Sequence, residues 1–135
     1  MTPEQIDEFL REPHLCDLAT VRPDGSPHVA PVWHHYDGER LIILAEETAV
    51  KVRNIRHEPR VAASIATHSS PYKAAIVNGV ADLSYSNIYE YVLAMATNYL
   101  GEEEGKTYTE KVVPETNFVV ITITPTKIIG WNYDE

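Results

Sequence analysis

Apolar and polar residues alternate with two different periods along the chain, and each change of period marks a new element. Apolar residues follow a helical spacing between positions 6 and 10, behind a predicted N-cap at Thr2. Pro3 in the first helical position and Gln5, placed for a capping box, indicate the same start. Over residues 15–21 the period changes to two, which predicts a half-buried strand.

Six further segments have the composition and spacing of strands: 29–35, 41–45, 60–67, 72–83, 119–124 and 126–131. Turn signals at 23–26 and 36–39, each with Asp-Gly at its centre, join the first strands as hairpins. Pro31 lies inside a strand segment and implies a sheet edge, a bulge or a break in the ladder. Gly79 predicts a bulge, and Pro125 separates the two closing strands.

Two more helices are indicated between the strands. Thr48 is placed to cap a helix that runs to about His57. The residues expected on its buried side are Val50, Ile55 and either Ala49 or Val52. Another helix starts after residues 86–87, either of which can cap it, and ends at Gly101. The polar segment 102–114 is expected to form a surface loop.

The order of these elements favours one class of fold. Strands dominate and are mostly joined by tight hairpins, with a short helix between the third and fourth. That arrangement predicts a mainly β, antiparallel barrel rather than a doubly wound parallel sheet. At 135 residues, the chain is expected to form a single domain over 1–135.

Composition excludes several function classes. No apolar run approaches the roughly 20 residues that cross a bilayer, and the N-terminus has no apolar signal core, so we expect a cytoplasmic protein without a membrane partner. Cys16 is the single cysteine, which excludes an internal disulfide. The formal net charge of −9 argues against nucleic-acid binding.

The basic residues are unevenly distributed in this acidic chain. Five of the eleven lie between positions 51 and 73, where Glu58 is the single acid: Lys51, Arg53, Arg56, Arg60 and Lys73. Such a concentration indicates a site for a small anion. The alternative is a solvated helix face, and charge alone does not separate the two.

The first of these cations lies where a strand runs into a helix. Free N–H groups and the positive end of the helix dipole favour a phosphate at that point. Lys51 is expected in the first helical turn, where a cation opposes the dipole unless an anionic ligand is bound. Thr48 can add a hydroxyl donor. The alternative is that Lys51 and Arg53 are merely exposed.

Other candidate chemistry is weaker. Adjacent His34 and His35 point to opposite faces of a strand, and His14 with Cys16 supplies too few zinc ligands, so we expect no metal site. We also expect no catalytic triad. Three residues are candidates for substrate contact, although ordinary packing is a strong alternative for each and the more frequent role of a tryptophan so placed: Tyr72, His34 and Trp131.

Several motifs, in consistent order over nearly the whole chain, resemble one known family: residues 25–33, 51–55, 59–61, 77–81, 99–101 and 123–131. The chain is similar to the pyridoxamine 5'-phosphate oxidase-like superfamily, and specifically to its branch of F420-dependent oxidoreductases. The resemblance implies a six- to seven-stranded antiparallel split β-barrel of the FMN-binding type, with about three short helices. It also implies a homodimer with two cofactor sites at the subunit interface.

The resemblance also implies roles for individual residues. Lys51 and Arg53, with Asn54, are expected to bind the cofactor phosphate. Ala45 and Thr48 contribute at the turn. The strand residues expected to line the ring pocket are Pro31, Val32 and Trp33. Because relatives include biliverdin reductases and haem-handling proteins, the fold does not fix the substrate.

Members of this superfamily hold either FMN or the deazaflavin coenzyme F420 and reduce small unsaturated or conjugated molecules. Coenzyme F420 carries an oligoglutamate tail, which Arg56, Arg60 and Lys73 could bind. The FMN-dependent oxidases usually have a denser Ser-Arg-Lys cluster where this chain has residues 49–51. The sequence therefore favours F420. Two alternatives stay open: an FMN-dependent enzyme of the same fold and a cofactor-binding module without turnover.

Overall fold

The computed structural model describes residues 1–133. It contains four helices: α1 (Pro3–Arg11), α2 (Val50–His57), α3 (Ile88–Leu100) and α4 (Glu102–Glu115). The strands are β1 (Cys16–Val21), β2 (Pro27–Val32), β3 (His35–Tyr36), β4 (Leu41–Glu46), β5 (Arg60–Ala66), β6 (Lys73–Ser84) and β7 (Phe118–Asn132). No helix within residues 1–133 has the length and hydropathy needed to span a membrane.

The seven strands form one antiparallel sheet in the order β2-β1-β5-β6-β7-β4-β3. The two edge strands, β2 and β3, are joined through Trp33 and His34 alone. Because this link is so short, the sheet must curl until its two edges approach each other, and the result is a split barrel. The predicted fold class is confirmed, with one more helix than expected.

The barrel is filled from alternate positions of its strands and closed by α2. Strand β1 turns Cys16, Leu18 and Thr20 inward, as its period of two predicts. Val52 and Ile55 of α2 join the same core. Strand β4 is buried on both faces, because its odd-numbered residues face the barrel interior and Ile42 packs with Met95 of α3.

The predicted surface loop at 102–114 is wrong, because these residues form helix α4. Gly105 lets α4 approach α3 closely, since a Cβ at this position would lie 2.6 Å from the backbone nitrogen of Thr97. Thr109 is buried, and its hydroxyl donates to the carbonyl oxygen of Gly105. Three glutamates in the first turn, at 102–104, suit the positive end of the helix dipole.

The start of α2 also differs from the prediction. Ala49, not Thr48, occupies the N-cap position, and no side chain caps the helix. Thr48 is exposed because it belongs to the turn that precedes the helix. Val50 is 49% exposed rather than buried, whereas Val52 and Ile55 lie in the core.

Two prolines mark irregular places in the sheet. Pro31 lies on the edge strand β2, which is one of the outcomes that its position implied. The expected strand 29–35 is interrupted at 33–34. Pro125 does not divide two strands: β7 is continuous and pairs with β6 through the predicted bulge at Gly79. A Cβ on Gly79 would lie 2.5 Å from the carbonyl oxygen of Thr124, so the two strands need glycine here.

Candidate functional site

The turn between β4 and α2 exposes unused hydrogen-bond donors. Glu47 donates its N–H to the carbonyl oxygen of Asn117 at 2.9 Å, which fixes the end of β4 against the start of β7. The N–H groups of Val50 and Lys51 have no acceptor within residues 1–133, and no acid lies in the first turn of α2. Such a helix start, with a lysine beside it, is suited to an anion.

The residues predicted to bind phosphate occupy different environments. Lys51 is half-buried in the first turn, and Arg53 is exposed. Asn54 is buried, and its side-chain amide donates to the hydroxyl of Thr20 at 3.0 Å. Asn54 therefore ties α2 to β1 inside the domain. Sequence reasoning gave no sign of this partner, because the two residues are far apart along the chain.

Two of the five basic residues clustered between positions 51 and 73 form ion pairs within the chain. Arg56 lies 3.7 Å from a carboxylate oxygen of Glu47 and donates to the hydroxyl of Tyr85 at 3.1 Å. Arg60 pairs with Glu58, and this arginine holds the pKa of the Glu58 carboxyl down at about 2. Both ion pairs are on the surface, so each contributes little to stability.

The fifth cation is distant from the turn. In the β5–β6 ladder Arg60 is opposite Val80, whereas Lys73 lies beyond the pair of Ala66 and Ala74. Seven residues of strand, from 80 to 73, separate the two positions, which corresponds to roughly 23 Å. Within one chain, the structure therefore does not bring Lys73 to the other four cations.

The predicted ring-pocket residues do not all face the same way. Pro31 is exposed on the outer face. Val32 and Trp33 line a cavity of about 180 Å³ that lies beneath α3 and α4. Its other lining residues, none of them found from sequence, are Leu44, Val92, Met95, Tyr108 and Phe118. Ala45 faces the opposite side of β4 and is buried in the barrel core.

The cavity and the turn between β4 and α2 share a pair of strands. Leu44 belongs to the cavity wall and lies two residues before the end of β4. Phe118, also in the wall, pairs with Glu46 at that end. The strand that carries the cavity wall therefore leads directly into the turn before Lys51.

Trp33 is held by an aromatic contact with α3. Its ring stacks on Tyr99, with centroids 4.9 Å apart and an angle of 11° between the planes. The Tyr99 hydroxyl accepts the backbone N–H of His34 at 3.2 Å and lies 2.6 Å from the carbonyl oxygen of His14. Burial raises the pKa of Tyr99 to about 12, so the phenol keeps its proton.

His34 is not available to a substrate, contrary to its candidacy. The side chain is 2% exposed, and Nε2 lies 2.7 Å from the carbonyl oxygen of Leu10. Nδ1 lies 3.0 Å from the Tyr99 hydroxyl. Because a carbonyl only accepts, Nε2 carries the proton. Burial lowers the pKa of His34 below its usual value.

Replacing Tyr99 with phenylalanine is expected to destabilise the protein by about 1–3 kcal/mol, because the N–H of His34 and the carbonyl of His14 lose their partner. The measurement is the free energy of unfolding in urea. Tyr89→Phe is the matched control, since Tyr89 lies on the same helix and is exposed. Equal stability of the two variants would contradict the role given to the Tyr99 hydroxyl.

Acidification from pH 7.5 to pH 5.5 is expected to lower the free energy of unfolding. Burial depresses the pKa of His34 and of His35 in the folded chain, so the unfolded chain takes up more protons below 6.5. The contribution of these two histidines to the free energy of unfolding is fully present above pH 6.5 and is lost as the pH falls below it. One fully buried histidine contributes at most about 1.4 kcal/mol per pH unit. His34→Gln should flatten the profile, and an unchanged slope would exclude His34 as its source.

Two other substrate candidates lie away from the cavity. Tyr72 is exposed beside Lys73, and Trp131 pairs with Ala74 on the same end of the sheet. Among residues 1–133, no three His, Cys, Asp or Glu side chains come together as metal ligands.

One residue that sequence reasoning did not connect with the turn is His28. It lies opposite Thr20 in the β1–β2 ladder, and Thr20 is the partner of Asn54 on α2. The Nδ1 atom of His28 is buried without a hydrogen-bond partner. An unpaired buried polar atom carries a desolvation cost of about 1–3 kcal/mol, which a water molecule or a ligand atom would remove.

Comparisons with known proteins agree with this fold. A structure titled F420 reductase is 29% identical to this chain, with coverage of 91% of this chain and 94% of the other and a TM-score of 0.74. A conserved hypothetical protein from Mycobacterium tuberculosis is 22% identical, with 98% and 85% coverage and a TM-score of 0.84. An FAD-binding protein from Mesorhizobium loti is 17% identical, with 96% and 92% coverage and a TM-score of 0.68.

The last two of these similarities concern the fold. A family model described as pyridoxamine 5'-phosphate oxidase matches residues 2–132, which is nearly the whole chain. The sequence motifs, the split barrel and this match all agree. The chain is a member of the pyridoxamine 5'-phosphate oxidase family.

Proposed function

We propose that this protein is an oxidoreductase that uses reduced coenzyme F420 to reduce a small unsaturated or conjugated organic molecule. The observation that carries the proposal is the uncapped start of α2, where two free N–H groups and Lys51 form an anion site. Family membership supports a flavin-type cofactor there. The 29% identity with an F420 reductase favours the deazaflavin over FMN.

The residues at the turn fit a phosphate. Lys51 supplies a charge, the N–H groups of Val50 and Lys51 supply directed donors, and Arg53 is free of acidic partners among the described residues. Asn54 is expected to act through α2, because its amide is already bonded to Thr20. The unpaired Nδ1 of His28 supports one further polar contact on this side of the barrel.

The protein's contribution to the reaction is position and exclusion of water. A reduced deazaflavin supplies a hydride when it is bound, and a proton from solvent completes the reduction of the acceptor. Lys51 binds and orients the cofactor by its phosphate. Val32 and Trp33 provide an apolar surface where the cofactor and the acceptor meet. No side chain of this chain is required to form a covalent bond.

The arrangement of cations changes one argument for F420. Arg56 and Arg60 are already paired with Glu47 and Glu58, so an oligoglutamate tail would have to compete with those carboxylates. Lys73 lies at the other end of β6. The surplus of cations is therefore smaller than the sequence indicates, and the preference for F420 rests chiefly on the similarity to the reductase.

A homodimer remains part of the proposal. The outer face of the sheet carries exposed apolar residues on several strands, among them Val29, Val80 and Ile129, whereas Val120 of β7 packs with Met95 of α3. A second copy on this face would bring a partner surface to Pro31. The molar mass in solution, measured by light scattering, tests this: a monomer at micromolar concentration would contradict it.

The decisive experiment is titration of the purified protein with F420 and with FMN, followed by fluorescence quenching. We expect micromolar or tighter binding of F420 and weaker binding of FMN. Micromolar FMN binding without F420 binding would favour the FMN-dependent enzyme. Reduced F420 is then mixed with candidate acceptors. Binding without any acceptor-dependent oxidation of F420 would favour the non-catalytic module.

A further inference from the structure

The cavity beneath α3 and α4 is lined mainly by apolar side chains, with the hydroxyl of Tyr108 as a polar group. Its seven lining residues are aromatic or aliphatic, and none carries a formal charge. Trp33, Tyr108 and Phe118 supply aromatic surface, and the Trp33 and Tyr108 rings lie 5.4 Å apart. A charged group placed against this lining would find no side chain of opposite charge to pair with. The lining therefore selects uncharged molecules.

The size of the cavity limits the ligand further. Its volume is about 180 Å³, whereas pockets for drug-sized ligands have roughly 300–1,000 Å³. A tricyclic deazaflavin with its ribityl chain and phosphate exceeds this space. One ring or two fused rings fit it. Aromatic walls favour a planar, π-rich molecule, because ring pairs at such distances attract each other.

The cavity is preorganised for such a ligand. Trp33 is fixed by its stack on Tyr99, whose hydroxyl is in turn fixed by the backbone of His34 and His14. On the opposite wall, Val92 and Met95 are buried parts of α3. A wall that is already ordered loses little entropy when a ligand binds.

We propose that this cavity binds the acceptor of the hydride transfer, and that the acceptor is an uncharged planar molecule of one or two fused rings. The inference rests on the proposed function, because a hydride acceptor requires a reducing cofactor at the neighbouring turn. The cofactor is then bound outside the cavity, along the strand that carries Leu44 and leads to Lys51.

The test uses 5-fluoroindole as a neutral two-ring probe, observed by fluorine NMR. We expect it to bind the cofactor-free protein, and 5-fluoroindole-3-carboxylate to bind at least tenfold more weakly. Val92→Phe, from the helix side, and Leu44→Phe, from the strand side, fill the cavity and should each weaken fluoroindole binding at least tenfold. Ala94→Leu is the control, since Ala94 lines a different groove on α3. Circular dichroism establishes that each variant is folded.

Three outcomes would separately contradict the inference, the cavity assignment or the proposed function. Displacement of fluoroindole by F420 would mean that the cofactor ring takes the cavity, and the inference fails. Undiminished fluoroindole binding by both filled variants, on a protein that binds F420, overturns the cavity assignment alone. A wild-type protein that binds fluoroindole but neither F420 nor FMN overturns the proposed function and the acceptor role with it.

Discussion

Replacing Lys51 with alanine is expected to weaken cofactor binding by about 1.5–3 kcal/mol, or roughly 10- to 150-fold in the dissociation constant. The physical reason is the removal of a charge-assisted hydrogen bond to phosphate at a helix start that has no acid and no side-chain cap. The N–H groups of Val50 and residue 51 stay in place, so binding is weakened rather than abolished. Fluorescence titration with F420 and with FMN measures the change.

Matched controls separate the site from general electrostatics. Arg60→Ala removes the same charge from an arginine that is already paired with Glu58, and Lys73→Ala removes a lysine from the other end of β6. Both variants should keep affinities within about twofold to threefold of wild type. If Lys73→Ala weakened binding as much as Lys51→Ala, a partner subunit would have to supply Lys73. If Lys51→Ala bound normally, the phosphate assignment would be wrong.

The sequence predicts the barrel well because its signals are local. The period of two in β1, the turn at 23–26 and the capping box of α1 each depend on residues close in the chain. The Lys51 turn is also a local feature, since it needs only a strand end, a helix start and a lysine. Which cations near the turn are already paired cannot be predicted locally, because the ion pair of Arg56 with Glu47 depends on how the turn folds back on α2.

The candidate site could not be assembled from sequence where distant segments meet. The cavity combines residues of β4, α3, α4 and β7 with Val32 and Trp33. The bond from Asn54 to Thr20 crosses from α2 to β1, and the one from Tyr99 to His14 joins α3 to the segment before β1. Hydrophobic periodicity predicts which face of an element is buried but not which other element packs against it. These partners could therefore not be predicted from the sequence.

Helix α4 shows a different reason for failure. Its composition is polar, and it contains a glycine, which destabilises a helix by about 1 kcal/mol relative to alanine. Tertiary packing overrides that preference, because Gly105 allows the two helix backbones to touch. The glutamates at 102–104 were a usable signal for a helix start. The residue that argues against a helix in isolation is therefore the one that makes the helix pack.

Replacing Gly105 with valine is accordingly expected to destabilise the protein by about 1–3 kcal/mol, and toward the upper end of that range. A Cβ at this position would lie 2.6 Å and 2.7 Å from backbone atoms of Thr97 and 2.8 Å from the carbonyl carbon of Ala96. Backbone atoms cannot move aside as a flexible side chain can, so α4 must move away from α3. Urea denaturation measures the loss.

The same displacement should impair the cavity, since Tyr108 of α4 forms part of its wall. We therefore expect Gly105→Val to weaken fluoroindole binding while leaving F420 affinity close to wild type, because the Lys51 turn lies on β4 and α2. Glu104→Val is the matched control, as it places the same side chain at an exposed position one residue earlier. Equal unfolding free energies for the two valine variants would mean that α4 does not depend on close contact with α3. Loss of F420 binding in Gly105→Val alone would instead couple α4 to the phosphate turn.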